Sequence, residues 1–308
     1  MAWEKLGRVY VARGERPWAR SRAYLPTSLM LDESTIRVLV AFLDEDLVGR
    51  IGYVDVDAAD PTRVLAVSER PALDVGEAGM FDDSGVNPLS VFRHDGRIWL
   101  YYVGWQRTRH VPYLLFTGLA HSGDAGAGFR RHSRVPVLDR SDAEPLLRTS
   151  TFVLPAPDGG FRAWYSTGAG WLETGGRTRP TYGLRHARSE DGVRWPAAGQ
   201  PCLEPQGPDE YGLGRPFVLD AGNRLRMWFS VRSHSRGYRL GYAESADGFE
   251  WERDDTAAGL DVSSAGWDSE MVHCGWVQPT PAATFLFYNG NGYGESGFGV
   301  AAMAEGER

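Results

Sequence analysis

Apolar and aromatic residues fall in short runs broken by Gly-, Asp- and Pro-containing turns, the pattern of many strands rather than of amphipathic helices. One such pattern recurs. Ala120-His121-Ser122-Gly123-Asp124, Ala187-Arg188-Ser189-Glu190-Asp191-Gly192-Val193-Arg194-Trp195 and Ala243-Glu244-Ser245-Ala246-Asp247-Gly248-Phe249-Glu250-Trp251 each read as a strand end, an Asp-Gly-type turn and an aromatic opening the next strand. Asp and Gly suit that turn because both tolerate the positive φ of a two-residue hairpin. In the first copy the turn is longer and Phe129 takes the aromatic place. Upstream of each copy lies an aromatic strand: Trp99-Leu100-Tyr101-Tyr102, Ala163-Trp164-Tyr165-Ser166 and Met227-Trp228-Phe229-Ser230. Before those come a turn and a further strand, Asn87 to Val91, Ser150 to Leu154 and Arg215 to Leu219.

The order is a four-stranded antiparallel meander of about 55–67 residues, the size of a propeller blade. Two weaker copies complete the set. Ser28 to Leu31, Arg37 to Phe42 and Arg50 to Val54 follow the same order near the N-terminus, and His273 to Val277, Phe285 to Tyr288 and Gly297 to Ala301 follow it at the C-terminus. The last copy is one strand short, and Trp3 to Val11 is a spare strand. The predicted fold is therefore all-β: a five-bladed β-propeller filling residues 1–308 as a single domain, its ring closed by the N-terminal strand completing the last blade. Closure of this kind removes exposed sheet edges. A β-sandwich with accidental similarity between strands is the alternative.

Composition narrows the function. An apolar fraction of 42% with 12% aromatics supports a sizeable core. A formal net charge of −7, both signs mixed along the chain, argues against nucleic acid or an anionic membrane as partner. Cys202 and Cys274 are far apart and in no CxxC arrangement, which excludes a Cys-rich zinc site. They read as two free thiols of a reducing compartment, with a single disulfide as the alternative. The N-terminus lacks the apolar core of a signal peptide and no run approaches the roughly 20 residues of a membrane helix, so a soluble cytoplasmic protein is expected. The sequence leaves the oligomeric state open.

In a propeller the first strand of each blade lines the channel, and residues just before it ring one mouth. Those stretches are Phe81-Asp82-Asp83-Ser84-Gly85, Asp142-Ala143-Glu144-Pro145, Asp209-Glu210-Tyr211 with Arg215, and Trp267-Asp268-Ser269-Glu270. Acidic groups thus stand at matched places in blades two to five, with Arg148 and Arg215 beside them. Gathered carboxylates are what glycosidic bond chemistry requires, one protonated as acid and another ionised as base or nucleophile. Crowding splits their pKa values, and an arginine keeps a chosen one ionised. Trp105, Trp171 and Trp267 lie in loops or at strand starts, where an indole face can stack on a sugar; Trp164 and Trp228, within strands, read as packing between blades.

The chain resembles the five-bladed propeller superfamily of furanosidases and related glycosidases, glycoside hydrolase families 43, 32 and 130, and within it an uncharacterised branch met in polysaccharide or specialised-metabolite gene clusters. Phe81 to Val86, Ala187 to Trp195, Tyr238 to Ser245, Trp267 to Met271 and Phe287-Tyr288-Asn289-Gly290-Asn291-Gly292-Tyr293-Gly294 carry the likeness. The resemblance implies a glycosidase-like enzyme acting on a sugar or glycosylated small molecule. Families 43 and 32 place an Asp on the first blade's inner strand, whereas here that strand reads Tyr24-Leu25-Pro26-Thr27-Ser28-Leu29; Asp44 and Asp46 follow only later, near Arg50. Either the acids have moved to Asp83, Glu144 and Glu270, or the reaction differs: a non-catalytic carbohydrate-binding propeller, or a transferase, phosphorylase or cyclase reusing the mouth.

On this reading Glu270, Asp83 and Glu144 are the candidate acid–base and nucleophile groups, Glu270 foremost. Arg148, Arg215 and Arg232 hold phosphate or a substrate carboxylate, or balance the acids. Asp82, Asp268, Trp105, Trp171, Trp267, Tyr165 and Asn289 complete the expected substrate site. No metal or other cofactor is expected, although related propellers sometimes hold an ion near an axial histidine, here His273. The glycines from Gly290 to Gly294 lack the following Lys-Ser/Thr of a nucleotide loop and read as a hairpin loop. A Ser-His-Asp hydrolase lacks its Gly-x-Ser-x-Gly elbow.

Overall fold

The computed structural model of the protein describes residues 2–304. Strand β1 (Trp3–Tyr10) stands first. The first meander is β2 (Ser21–Met30), β3 (Thr35–Leu43), β4 (Gly49–Asp57) and β5 (Val64–Val67), and the second β6 (Val86–His94), β7 (Arg97–Arg107), β8 (Tyr113–Ser122) and β9 (Arg130–Arg131). The third is β10 (Arg148–Pro155), β11 (Phe161–Thr174), β12 (Arg177–Ser189) and β13 (Gln200–Leu203), and the fourth β14 (Glu210–Asp220), β15 (Leu225–Ser233), β16 (Gly237–Ser245) and β17 (Glu252–Arg253). The fifth has β18 (His273–Pro279), β19 (Thr284–Asn289) and β20 (Phe298–Met303), with β1 antiparallel to β20. A single parallel bridge, Tyr182 to Gly212, joins the third and fourth meanders into one sheet. No helix among the described residues is long and apolar enough to cross a membrane.

The fourth strands are only two to four residues long in the second to fourth meanders. The Asp-Gly segments leading to them are not two-residue hairpins but wider turns held by side chains. Ser189 Oγ accepts from Gly192 N and Ser245 Oγ from Gly248 N, while Asp191 and Asp247 each accept two further backbone N–H groups. The glycines need a left-handed backbone there, φ 70° and 83°. Each turn is bonded by the meander before it: Tyr101 OH donates to Gly192 O at 2.6 Å and Trp164 Nε1 to Gly248 O at 3.0 Å. The recurring Ser-x-Asp-Gly is thus a contact between meanders.

The first strands of successive meanders lie against one another, β2 on β6, β6 on β10, β10 on β14 and β14 on β18, and β18 lies on β2. Each carries a break in register near mid-length, between Tyr24 and Thr27, Pro88 and Ser90, Thr149 and Phe152, Gly214 and Phe217, and His273 and Trp276. Four of these bulges hold a non-glycine residue at positive φ: Leu25 60°, Ser150 52°, Arg215 55° and Cys274 56°. Such residues are costly by about 1–2 kcal/mol each and concentrate where function requires them. Beyond the bulges Phe152, Phe217 and Trp276 meet ring to ring, with centroids 4.8–5.6 Å apart, and fill the space between the strands.

Trp3 is buried edge-on against Trp228, centroids 6.1 Å apart, and its backbone N–H donates to Gly259 O. The N-terminal strand is therefore anchored in the fourth meander as well as paired in the fifth. Trp3→Ala is expected to cost about 3–5 kcal/mol in urea unfolding; a loss under about 1 kcal/mol would show that this strand is not integral to the fold.

Candidate functional site

The matched carboxylates occupy a repeating structural position. Asp82 accepts from Tyr102 OH at 3.0 Å and pairs with Arg131 at 2.7 Å. Glu144 accepts from Tyr165 OH at 2.8 Å and from Gly199 N, and pairs with Arg148 at 2.6 Å. Asp268 accepts from Tyr288 OH at 3.0 Å and pairs with Lys5 at 2.6 Å. Tyr102, Tyr165 and Tyr288 hold the same place in their second strands, and each braces the loop that leads into its own meander. In the fourth meander Phe229 has no hydroxyl, and Glu210 is held by Arg253 at 2.7 Å and by Gln206 N at 2.8 Å. The regular spacing of acids along the sequence thus accompanies a repeated brace.

Asp83 accepts from Gly79 N and Ser84 Oγ, both at 2.8 Å. Glu270 is exposed, and only its backbone is bonded, N–H to Asn291 Oδ1 and O from Arg239. None of Asp83, Glu144 and Glu270 lines the cavity between the first strands. Asn289 is a buried pin whose Oδ1 accepts from Leu25 N while Nδ2 donates to Ala23 O and Gly297 O. Trp267 packs on Tyr288, and Trp171 touches Tyr113 edge-on.

The first strands do converge on a cavity of about 830 Å³, lined from all five meanders. Of the residues expected from the sequence, Trp105, Arg215, Arg232 and His273 line it; Asp82, Asp83, Glu144, Arg148, Tyr165, Trp171, Trp267, Asp268, Glu270 and Asn289 do not. Sequence reasoning missed Tyr24, Asn87, Tyr113, Tyr182, Tyr238 and Tyr293, and the arginines Arg22, Arg107, Arg177 and Arg179. Among the described residues no Asp or Glu lines the cavity. With its amide turned to satisfy its neighbours, Asn87 accepts from Tyr24 OH and Trp105 Nε1, both at 2.7 Å. The run from Gly290 to Gly294 lies, as expected, in the loop of the hairpin that pairs β19 with β20, and projects Tyr293 at φ 56°.

Two buried arginines stand in the wall. Arg215, at the fourth bulge, donates across to Leu89 O, Pro26 O and Thr27 Oγ1. Burial lowers it to about 10, so it stays charged at neutral pH. Arg232 donates to Tyr182 OH and Pro180 O and lies over the rings of Tyr182, Tyr211 and Tyr238, 4.7–5.6 Å from their centroids. Burial lowers its pKa, but these tyrosines outweigh that and raise it. The Nε atoms of both arginines and Nε2 of His273 have no hydrogen-bond partner. His273 Nδ1 lies 3.0 Å from Cys274 Sγ. Burial pushes the imidazole down to about 4 and the thiol up to about 11, so both are neutral near pH 7. Both cysteines are free thiols. The surroundings of His273 do not suit a cation: no group of three or more His, Cys, Asp or Glu that could hold a metal occurs among the described residues, and guanidinium groups share the cavity.

No family model matches the chain. The uncharacterized protein Rv1502 of Mycobacterium tuberculosis strain ATCC 25618 / H37Rv is 36% identical over 304 residues, 98% of this chain and 99% of that one. The uncharacterized protein MT1551 of strain CDC 1551 / Oshkosh matches to the same extent. Among solved structures the chain is similar to the BT0996 RGII complex, with TM-score 0.74, 17% identity and coverage of 97% of this chain and 90% of that one. It is similar to a structure from the GH130 family of mannoside phosphorylases and glycoside hydrolases that target β-1,2 mannosidic linkages in Candida mannan (TM-score 0.72, 14% identity, coverage 99% and 94%). A third is the α-L-arabinofuranosidase from Lactobacillus brevis (TM-score 0.68, 10% identity, coverage 92% and 90%). At these identities the likeness is one of fold, and it places the chain among structures of glycoside hydrolases of the family 43, 32 and 130 type.

Two expectations follow. Glu144→Gln, which strips a buried ion pair, should cost about 3 kcal/mol, whereas Glu270→Gln should leave the unfolding curve unchanged; the opposite ranking would contradict the bracing role of Glu144. Because His273 titrates lower folded (about 4) than its ordinary 6.5, the unfolded chain binds the extra proton between those values. Its contribution is complete above pH 6.5 and is lost as pH falls toward 4, about 3 kcal/mol in all. His121 and His186 shift the same way, so His273→Gln should shallow the loss of stability between pH 7 and 4.5 rather than abolish it. An unchanged slope would contradict the burial of a neutral imidazole.

Proposed function

The chain belongs to one family with the uncharacterized Mycobacterium tuberculosis protein Rv1502, and from that premise and its glycoside hydrolase fold we propose a glycoside hydrolase-like protein acting on a sugar or glycosylated small molecule. In this reading the five meanders are the blades of one five-bladed propeller domain. The circular order of contacts among the first strands and the pairing of β1 with β20 support it. The ligand site is the cavity between the first strands, not the carboxylates around it.

One observation carries the proposal: the cavity has the volume of a small-ligand site and is walled by Trp105, Tyr113, Tyr182, Tyr238 and Tyr293. Aromatic faces offer apolar area to the C–H faces of a sugar while their hydroxyl and indole N–H groups bond its hydroxyls. The bulges turn Leu25, Ser150, Arg215 and Cys274 into the same space, which gives the strained backbone a use.

The lining also favours a second reading. Two-carboxylate hydrolysis needs an acid and a base flanking the bond, and among the described residues no carboxylate lines the cavity. Binding without hydrolysis, or transfer to an acceptor, fits that chemistry. A panel of furanosides, pyranosides and mannosides, scored for both binding and product release, separates the two. We expect saturable binding that Trp105→Ala weakens at least about tenfold. Product release would favour the enzyme, binding alone would favour the second reading, and neither binding nor turnover across the panel would remove the carbohydrate assignment.

A further inference from the structure

The six arginines of the cavity form a graded series. Arg107 and Arg177 are exposed at its edge, Arg22 and Arg179 are half-buried, and Arg215 and Arg232 are buried. Among the described residues none of the six forms an ion pair with a carboxylate. Their partners are backbone carbonyls and the hydroxyls of tyrosines and Thr27: Arg22 donates to Gly292 O and Tyr293 O, Arg107 to Asp46 O, and Arg179 to Tyr211 OH and Tyr293 OH. Elsewhere the buried arginines are neutralised, Arg37 by Asp55, Arg148 by Glu144 and Arg253 by Glu210. A chain of net charge −7 thus keeps its acids out of one cavity and sends six guanidinium groups into it.

Such an arrangement is unfavourable in isolation. Like charges repel, and a buried charge without a counter-charge is costly. The three unpartnered polar atoms, Arg215 Nε, Arg232 Nε and His273 Nε2, belong to side chains 3–5% exposed on the cavity wall. They are the donors an oxyanion would satisfy, because guanidinium N–H groups match carboxylate and phosphate oxygens. The more exposed arginines would raise the local concentration of an approaching anion.

We propose that the ligand of this cavity is an anionic sugar, one bearing a carboxylate or a phosphate, whose charged group is held at the inner end by Arg232, Arg215 and His273. This rests on the carbohydrate reading above and adds to it the charge of the ligand. Arg179, on the β11–β12 hairpin and bonded to Tyr293 from the fifth meander, closes on the outer part of the same molecule.

The test is calorimetric titration of the full chain, at about 50 mM and about 300 mM salt, with four probes: inorganic phosphate, glucose 1-phosphate, methyl glucuronide and methyl glucoside. One or both charged sugars should bind at least about tenfold more tightly than the neutral glucoside, with a gap that narrows at higher salt. A preference for the glucuronide identifies the carboxylate as the source of charge, and a preference for glucose 1-phosphate identifies the phosphate. Arg232→Met should remove most of the preference. Arg179→Ala, on a hairpin at the mouth, should reduce it if the first variant does not fold. Equal, salt-independent affinity for charged and neutral sugars would overturn the charge assignment and leave the carbohydrate reading standing. Binding of inorganic phosphate with no sugar bound would uphold the charge and sink the carbohydrate. No binding of any probe would overturn the inference.

Discussion

Five strands that lie side by side without a ladder between them must still satisfy the backbone groups they turn toward one another, and that requirement organises this protein. Each first strand is fully paired only on its outer edge. Its inner edge is answered by side chains from neighbouring meanders. Cys274 N donates to Ser230 Oγ, Ser166 Oγ donates to Leu213 O, Leu25 N donates to Asn289 Oδ1, and Thr117 Oγ1 donates to Arg148 O. Ser166, Ser230 and Asn289 occupy the same place in their respective second strands. A small polar residue after two aromatics is thus the price of bringing strand edges together in a buried place.

The same three-residue stretch explains why the fold was legible and the site was not. Tyr101, Trp164 and Trp228 weld adjacent meanders, Tyr102, Tyr165 and Tyr288 brace carboxylates, and the next position meets the following inner strand. Constraints that recur with every meander leave a recurring sequence, so repeats, strand order and the spare N-terminal strand could be read directly. Repetition also marks Asp82, Glu144 and Asp268, each of which accepts a hydrogen bond from a tyrosine of its own meander. Chemistry at a single asymmetric ligand need not repeat, and beyond the matched bulges many of the side chains around the cavity do not. Tyr182 and Arg179 come from a third strand, Tyr113 from another, Tyr293 from a turn, and Arg22 from the edge of β2. No common offset links them. Only Arg215, His273, Arg232 and Trp105 were reachable, the first two because they sit on inner strands.

Charge is sorted by depth and direction. The acids are held on the outside of the braces, in pairs with Arg131, Arg148, Arg253 and Lys5, and so contribute to the net negative chain without facing the cavity. The arginines of the cavity are held instead by carbonyl and hydroxyl oxygens, partners that orient a guanidinium without cancelling its charge. Arg232 among Tyr182, Tyr211 and Tyr238 is the clearest case, since aromatic faces stabilise a cation while leaving its N–H groups available. The fold shared with glycoside hydrolase structures here surrounds a cavity lined by arginines and aromatic residues.

The aromatic cluster of Phe152, Phe217 and Trp276 has a consequence of its own. A second hollow of about 510 Å³ opens on the far side of it, lined by the other halves of the same strands. The two spaces are back to back, with packed rings between them. The vessel is therefore blind. Whatever enters the larger cavity from its open end must leave by the same way.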